Sequence, residues 1–298
     1  MSKTLFTVPI PPLGPHPGGS ITVTEPQPAI YLLTFHSPPD NRLTTVVCKA
    51  LLAALDLLES GGHPPGVLIT TSAIPKFYSN GLDLQHAIDT PGFWALFYSV
   101  WNRLLTYESP PPQVVSIYIN TNMQITSFPM PTLALLNGHT YAGGLMLAMA
   151  HDYRLAPSPK GFLCLNEVLF GAALQPPMAS LFRAKLPSNA VFRKVALEGH
   201  RFTGQEAVAD GLVDGLCPAG LNDALKFVAE RQLLEKPKKG VYGTIKAEMY
   251  KDLVRELKGA GLEAEMERFQ NDQRSAAERK EFGKVFVEQW RKDNKAKL

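Results

Sequence analysis

A lone glutamate, Glu167 in the run Leu165-Asn166-Glu167-Val168, is the side chain of this sequence best suited to move a proton. Upstream of it lies a glycine turn, Gly138-His139-Thr140-Tyr141-Ala142-Gly143-Gly144, whose last two glycines open an apolar helix. The first amides of a helix lack internal acceptors, and the helix dipole favours negative charge beside them. A second junction, Phe77-Tyr78-Ser79-Asn80-Gly81-Leu82-Asp83-Leu84, also carries a glycine just after an apolar run. Glycine at such points permits a sharp bend or a close backbone approach. The N–H groups of Leu82 and Gly143 therefore form a candidate pair of donors for a developing oxyanion, each such donor typically contributing about 3 kcal/mol to a transition state. One carboxylate beside such a cradle suits carrying a proton along a carbon chain. Adding water across a double bond calls for a second acid.

The elements that must position these groups are readable from periodicity. Residues 21–35 alternate around Glu25-Pro26-Gln27-Pro28 and predict a hairpin. Leu43 to Glu59 places Val47, Leu51, Leu55 and Leu58 at helical spacing, with Thr44 or Thr45 as N-cap and Gly61-Gly62 to close it. Gly66–Thr71 and Thr132–Asn137 predict buried strands, Tyr153–Ala156 another, and Phe93–Tyr107, Val114–Phe128 and Gly143–His151 predict helices. Pro110-Pro111-Pro112 breaks the chain between the first two of those helices. Strands alternating with helices imply a parallel sheet with covering helices. From about Pro176 the pattern turns helical. The expected organisation is a flexible lead-in over residues 1–19, an α/β core over 20–200 and a helical C-terminal module over 201–295.

Composition excludes several classes. A hydrophobic content of 45%, a charged content of 19% and a formal net charge of +3 describe an ordinary globule with no basic patch for nucleic acid. No run is long and apolar enough for a membrane span. Cys48, Cys164 and Cys217 lie far apart in apolar surroundings, which predicts buried reduced thiols and no metal site. No Gly-Lys-Ser/Thr phosphate loop occurs. The final residues Ala296-Lys297-Leu298 are a close variant of the Ser-Lys-Leu address read by the peroxisomal import receptor; the plainer reading is a lysine-rich helix end.

Taken together, Phe77 to Leu84, Pro129-Met130-Pro131-Thr132, the glycine turn, Asp152-Tyr153-Arg154 and Asn166-Glu167-Val168-Leu169-Phe170-Gly171 resemble the crotonase (enoyl-CoA hydratase/isomerase) superfamily, over roughly residues 20 to 235. The resemblance implies a crotonase-like spiral of ββα units with a helical C-terminal trimerisation module. It implies a trimer or dimer of trimers and an acyl-CoA thioester substrate, with coenzyme A as part of the substrate and no separate cofactor. Leu82 and Gly143 would hold the thioester oxygen, and Asn80, Gly81, Asp83, Leu84 and Gly144 would contact the substrate, the Asn80–Leu84 loop chiefly through backbone. Hydratases of the superfamily carry a second glutamate on the helix after the glycine turn, where this chain has Met146. With Glu167 alone as catalytic acid, the chain resembles the Δ3,Δ2-enoyl-CoA isomerase branch. That implies isomerisation of 3-enoyl-CoA in β-oxidation of unsaturated fatty acids, in the peroxisomal matrix, or in the cytoplasm if the C-terminal tripeptide is not read.

Two other readings stand beside this one. A hydratase or dehydratase of a specialised acyl-CoA would draw its second acid from elsewhere, with Asp83 or Glu108 nearest. A non-catalytic homologue would only bind acyl-CoA or a partner protein. His139 reads as structural, His86 as a solvent-facing helix residue, and Asp152 with Arg154 as an ion pair at a strand start. The helices expected over Val241–Leu257 and Glu263–Trp290 would pack on a neighbouring subunit.

Overall fold

The computed structural model describes residues 2–106 and 130–294. The expected helix over 114–128, Glu108 and the C-terminal tripeptide lie outside them. Among the described residues ten strands form two sheets: β1 (Lys3–Ile10), β2 (Gly19–Gln27), β3 (Ile30–His36), β4 (Val67–Ser72), β5 (Phe77–Ser79), β6 (Thr132–Leu135), β7 (His139–Tyr141), β8 (Tyr153–Ala156), β9 (Leu163–Cys164) and β10 (Gly215–Leu216). The large sheet has the order β1-β2-β3-β4-β6-β8-β10, antiparallel through β3 and parallel from there on. The small sheet, β5-β7-β9, is wholly parallel.

Three times the chain runs from the large sheet to the small one and then into a helix. β4 leads to β5 and the helix Leu84–Asp89, β6 to β7 and the helix Gly143–Met149, and β8 to β9 and the helix Glu167–Phe170. This is the spiral of ββα units. Each turn delivers the C-terminal end of a small-sheet strand to one edge of the molecule, the position where parallel α/β architectures collect their ligand-binding loops. Side chains alternate across the large sheet. Val67, Ile69, Leu133 and Leu135 pack on one face with Ala224, Val228 and Leu233, while Leu68 and Ala134 join the larger core on the other. Burial on both faces explains why these strands read as continuous apolar runs.

The N-terminal expectation is corrected. Lys3–Ile10 is a strand paired antiparallel with β2, not a flexible lead-in. Leu5, Phe6 and Val8 rest against the core, and Pro9 is tolerated because the strand lies at the sheet edge. The core also runs past residue 200. β10 pairs with β8, and Cys217, Ala224 and Val228 belong to the apolar cluster behind the large sheet. The helices beyond it start with Tyr242–Met249 and add Tyr250, Leu253 and Leu257 to the main core. There the expected single helix over 241–257 is two, Tyr242–Met249 and Lys251–Glu256, broken at Tyr250, and the last helix spans Gly259–Asp293. Lys246 Nζ fastens the module to the core through Leu104 O (2.6 Å) and Asp152 (2.8 Å). Asp152 and Arg154 do form ion pairs, but with Lys246 and Asp214 from later in the chain. All three cysteines are buried free thiols.

Candidate active site

The first wall of the site is the loop that follows β5. Its conformation is imposed by the neighbouring segment 40–43: Asn80 N–H donates to Asp40 O (3.0 Å) and Leu43 N–H to Gly81 O (2.8 Å). Asn80 Nδ2 adds a bond to Asp40 Oδ2 at 2.6 Å and Arg42 Nη1 one to Leu82 O at 3.0 Å. In a trans peptide the carbonyl and the amide hydrogen point in opposite directions. Because Gly81 O faces Leu43, the Leu82 N–H is turned away from it, toward the second wall.

That wall is the glycine turn. Ala142 sits at φ 48° and ψ −123°, a region normally left to glycine. Its carbonyl accepts from Met146 N at 3.1 Å inside the helix, so the Gly143 N–H points outward from the helix start. The two loops touch where side chains are missing. A Cβ on Gly143 would lie 2.8 Å from Leu82 Cγ, and one on Gly81, itself at φ +85°, would lie 2.9 Å from Ala142 Cβ. Among the described residues, neither the Leu82 nor the Gly143 amide has an acceptor. Two free, oppositely anchored donors on touching loops are what an anion cradle would require.

Glu167 comes from the third turn of the spiral. It is the first residue of a four-residue helix that Gly171 ends at φ +78°, which gives the Glu-x-x-x-Gly spacing its physical reason. The side chain is 8% exposed. Burial pushes its carboxyl up to about 7, opposed only by its own backbone N–H. Its Oε2 is buried without a hydrogen-bond partner, as is Oδ1 of Asn166 beside it. An orphaned buried carboxylate oxygen is costly and calls for an explanation.

Glu167 and Leu82 share the wall of a cavity of about 330 Å³. Asn80, Arg42, Tyr141 and Asn166 supply its other polar groups, and Trp94, Phe170, Met178 and Leu84 much of its apolar surface. Among the described residues Glu167 is the only acid on that wall and Arg42 the only cation. The arrangement can hold a negative oxygen, accept a proton from a neighbouring carbon and shelter an apolar chain. Among the described residues its wall carries no second acid to activate water.

The remaining expected residues sort as follows. Asn80 and Leu84 line the cavity, and Gly81 backs it through its contact with Ala142. Gly144 packs against Ser79, where a Cβ would meet Ser79 O at 2.6 Å, and does not line the cavity. Asp83 is occupied elsewhere: it caps the helix Leu84–Asp89 through His86 N (3.1 Å) and pairs with His16 Nε2 (2.8 Å). The His16 hydrogen bond leads in holding its carboxyl below the usual range. Asp83 is therefore no second acid. Met146 is fully buried in the core. His86 is not solvent-facing: its Nε2 accepts from Thr45 N at 3.1 Å and so caps the helix Thr45–Ser60. His139 is structural, stacked between Tyr141 and Phe162. Arg42, Trp94, Tyr141 and Met178 were missed as site residues. Tyr141 lies inside the glycine turn itself, whereas the other three reach the cavity through packing between distant segments and no motif marks them.

Similarity to known proteins agrees with this geometry. Residues 113–296 match the family described as enoyl-CoA hydratase/isomerase. The chain is 32% identical over 227 residues to enoyl-CoA delta isomerase 2, peroxisomal, of Arabidopsis thaliana, covering 75% of this chain and 90% of that one. It is 27% identical over 209 residues to the mitochondrial enoyl-CoA delta isomerase 1 of Homo sapiens, covering 67% and 62%. Among solved structures, human mitochondrial delta3-delta2-enoyl-CoA isomerase superposes with a TM-score of 0.62 at 21% identity, over 86% of this chain and 98% of that one. An enoyl-CoA hydratase from Mycobacterium marinum gives 0.65 at 20%, over 83% and 99%, so the fold alone does not choose between the two activities. This chain belongs to the enoyl-CoA hydratase/isomerase family and has the crotonase fold.

Proposed function

We propose that this protein is a Δ3,Δ2-enoyl-CoA isomerase working with one glutamate. The observation that carries the proposal is the buried Glu167 carboxyl, its Oε2 without a partner, on the same cavity as Leu82, with no other acid on the described wall. As carboxylate, Glu167 removes a proton from C2 of a 3-enoyl-CoA. The electron pair left behind delocalises into the thioester, and the enolate oxygen takes the N–H groups of Leu82 and Gly143. The protonated carboxyl then gives the same proton to C4, and the double bond moves from C3–C4 to C2–C3. Nothing else is consumed or released. A pKa near neutrality suits a group that must act as base and then as acid in one turnover.

The relatives named as isomerases, the peroxisomal label among them, support this reading, and a role in β-oxidation of unsaturated fatty acids is part of the proposal. Peroxisomal import through Ala296-Lys297-Leu298 and assembly as a trimer or hexamer belong to the same proposal. Exposed Phe282, Val285, Phe286 and Trp290 on the last helix suit contact with another subunit. The test is direct. Purified protein incubated with a 3-enoyl-CoA should yield the conjugated 2-enoyl thioester, followed by ultraviolet absorbance, and Glu167→Gln should slow it about 10²- to 10⁴-fold. Hydration of a 2-enoyl-CoA without isomerisation of the 3-enoyl isomer would replace this reading with the hydratase one.

A further inference from the structure

Tyr98 joins two parts of the cavity wall without lining the cavity itself. Its buried ring stacks on Trp94 at a centroid distance of 6.4 Å, and its hydroxyl donates to Gln175 Oε1 at 2.6 Å. Trp94 supplies wall from the helix Phe93–Leu105, and Gln175 ends the stretch that supplies Ala172 and Ala173, three residues before Met178. Gln175 is oddly placed for any other task. It occupies the N-cap of the helix Pro176–Lys185, where Ser, Thr, Asp or Asn is preferred, and its side chain makes no cap. Nor is a side-chain cap needed there: Pro176 and Pro177 carry no N–H, and Met178 N–H donates to the Gln175 carbonyl at 3.0 Å. The carboxamide is thereby left to Tyr98.

The stretch that Gln175 ends is thinly held. Gly171 and Ala173 are exposed, and the Ala173 and Leu174 amides have no backbone acceptor among the described residues. Leu174 rests on the core, and the Tyr98 hydrogen bond fixes the far end. The near end is independent of it, since Ala172 N–H donates to Glu167 O at 3.0 Å. At about 330 Å³ the cavity stands at the small end of ligand pockets, roughly 300–1,000 Å³, so a long chain needs a wall to give way. Of a thioester substrate, the hydrocarbon chain is the part that gains from burial against Trp94, Ala172, Ala173 and Met178. We propose that the Tyr98–Gln175 hydrogen bond sets the acyl-chain length the site prefers. Intact, it holds residues 172–175 inward and favours short chains; broken, it lets them yield toward solvent and long chains gain. This rests on the acyl-CoA reading above, though not on the direction of the reaction.

The test is a competition between 3-hexenoyl-CoA and 3-dodecenoyl-CoA in one reaction, with both products quantified. It uses the wild type, Tyr98→Phe, Gln175→Leu and the double variant. The product ratio compares two kcat/KM values on the same enzyme molecules, so a loss of folded protein cancels. Tyr98→Phe keeps the ring on Trp94 and deletes only the hydroxyl. Loss of one neutral hydrogen bond should move the ratio toward the long chain by about three- to tenfold, with kcat for the short chain preserved. Gln175→Leu should move it likewise, and the double variant no further than either single, because both remove the same bond. An unmoved ratio in the singles, or a double variant whose shift is the product of theirs, would reduce the pair to ordinary packing and overturn the inference. Calorimetric binding of hexanoyl-CoA and dodecanoyl-CoA separates this from the reaction. An affinity ratio that moves in the variants without any turnover overturns only the isomerase reading. An active isomerase with an unmoved ratio overturns only the inference, and a protein that binds neither thioester overturns both.

Discussion

Asp152 and Glu167 are both buried carboxyls, and they are treated in opposite ways. Asp152 accepts from Thr132 N at 2.9 Å, from Thr132 Oγ1 at 3.1 Å, from Lys246 Nζ at 2.8 Å and from Tyr242 OH at 3.2 Å. Burial alone would raise its pKa, yet Lys246, Lys185 and the donated hydrogen bonds hold it below the ordinary carboxylate range. Glu167 receives no comparable company, and burial raises it to about 7. A fully satisfied carboxylate is committed to structure, here to holding the C-terminal module on the core. An unsatisfied one is left available to a substrate. The same side-chain chemistry is thus divided between fastening and availability by the donors within reach.

The sharpest way to break that contrast is Glu167→Gln, which keeps shape and removes the proton carrier. Isomerisation of a 3-enoyl-CoA should fall about 10²- to 10⁴-fold, measured as kcat/KM, while the circular dichroism spectrum stays unchanged. Asp152→Asn should do the reverse. Stranding buried Lys246 costs about 3–5 kcal/mol, read as a lowered denaturation midpoint, with the rate per folded molecule nearly preserved. Equal damage to both properties in both variants would erase the distinction. Gly143→Ala tests the cradle between these extremes. Its Cβ would press on Leu82 Cγ at 2.8 Å and spread the two loops, so loss of one donor should lower kcat by about 3 kcal/mol of barrier. A Gly143→Ala enzyme with full kcat would remove this amide from the mechanism.

Much of the site was legible in the sequence because its key positions tolerate few residue types. Gly143 and Gly81 must lack a Cβ, Gly171 must reach positive φ, and Glu167 brings a carboxyl into a buried place. Such demands leave marks one residue wide. The small sheet left almost none, because strands of three, three and two residues are too short to show a period. Arg42 and Trp94 reach the cavity only through pairings across the chain, and His86 caps a helix that starts 41 residues earlier. The N-terminal strand was hidden by its prolines and glycines, which sit at its edge and in the turn after it. Local chemistry is written locally, and long-range docking is not.

The gentlest test of the contrast is the pH dependence of stability. Glu167 has a folded pKa near 7 and an ordinary value of 4.5, so between those values the folded state binds more protons than the unfolded one. Stability therefore falls as pH rises across that window, the opposite of the behaviour of a carboxylate with a lowered pKa such as Asp152. Glu167→Gln removes the titrating group. The variant should match the trend of the wild type below about pH 4.5 and gain on it up to pH 8, by at most about 3 kcal/mol from a shift of this size. The comparison requires denaturant titrations of both proteins at pH 4.5, 6 and 8, with the wild type's rate followed over the same range. If the stability gap opens over the same pH interval in which kcat/KM rises, one ionisation accounts for both, and the missing partner of Glu167 is a stability cost tied to its reactivity. A gap independent of pH would mean that Glu167 is ionised in the folded protein throughout, with a hydrogen-bond donor close enough to hold it so.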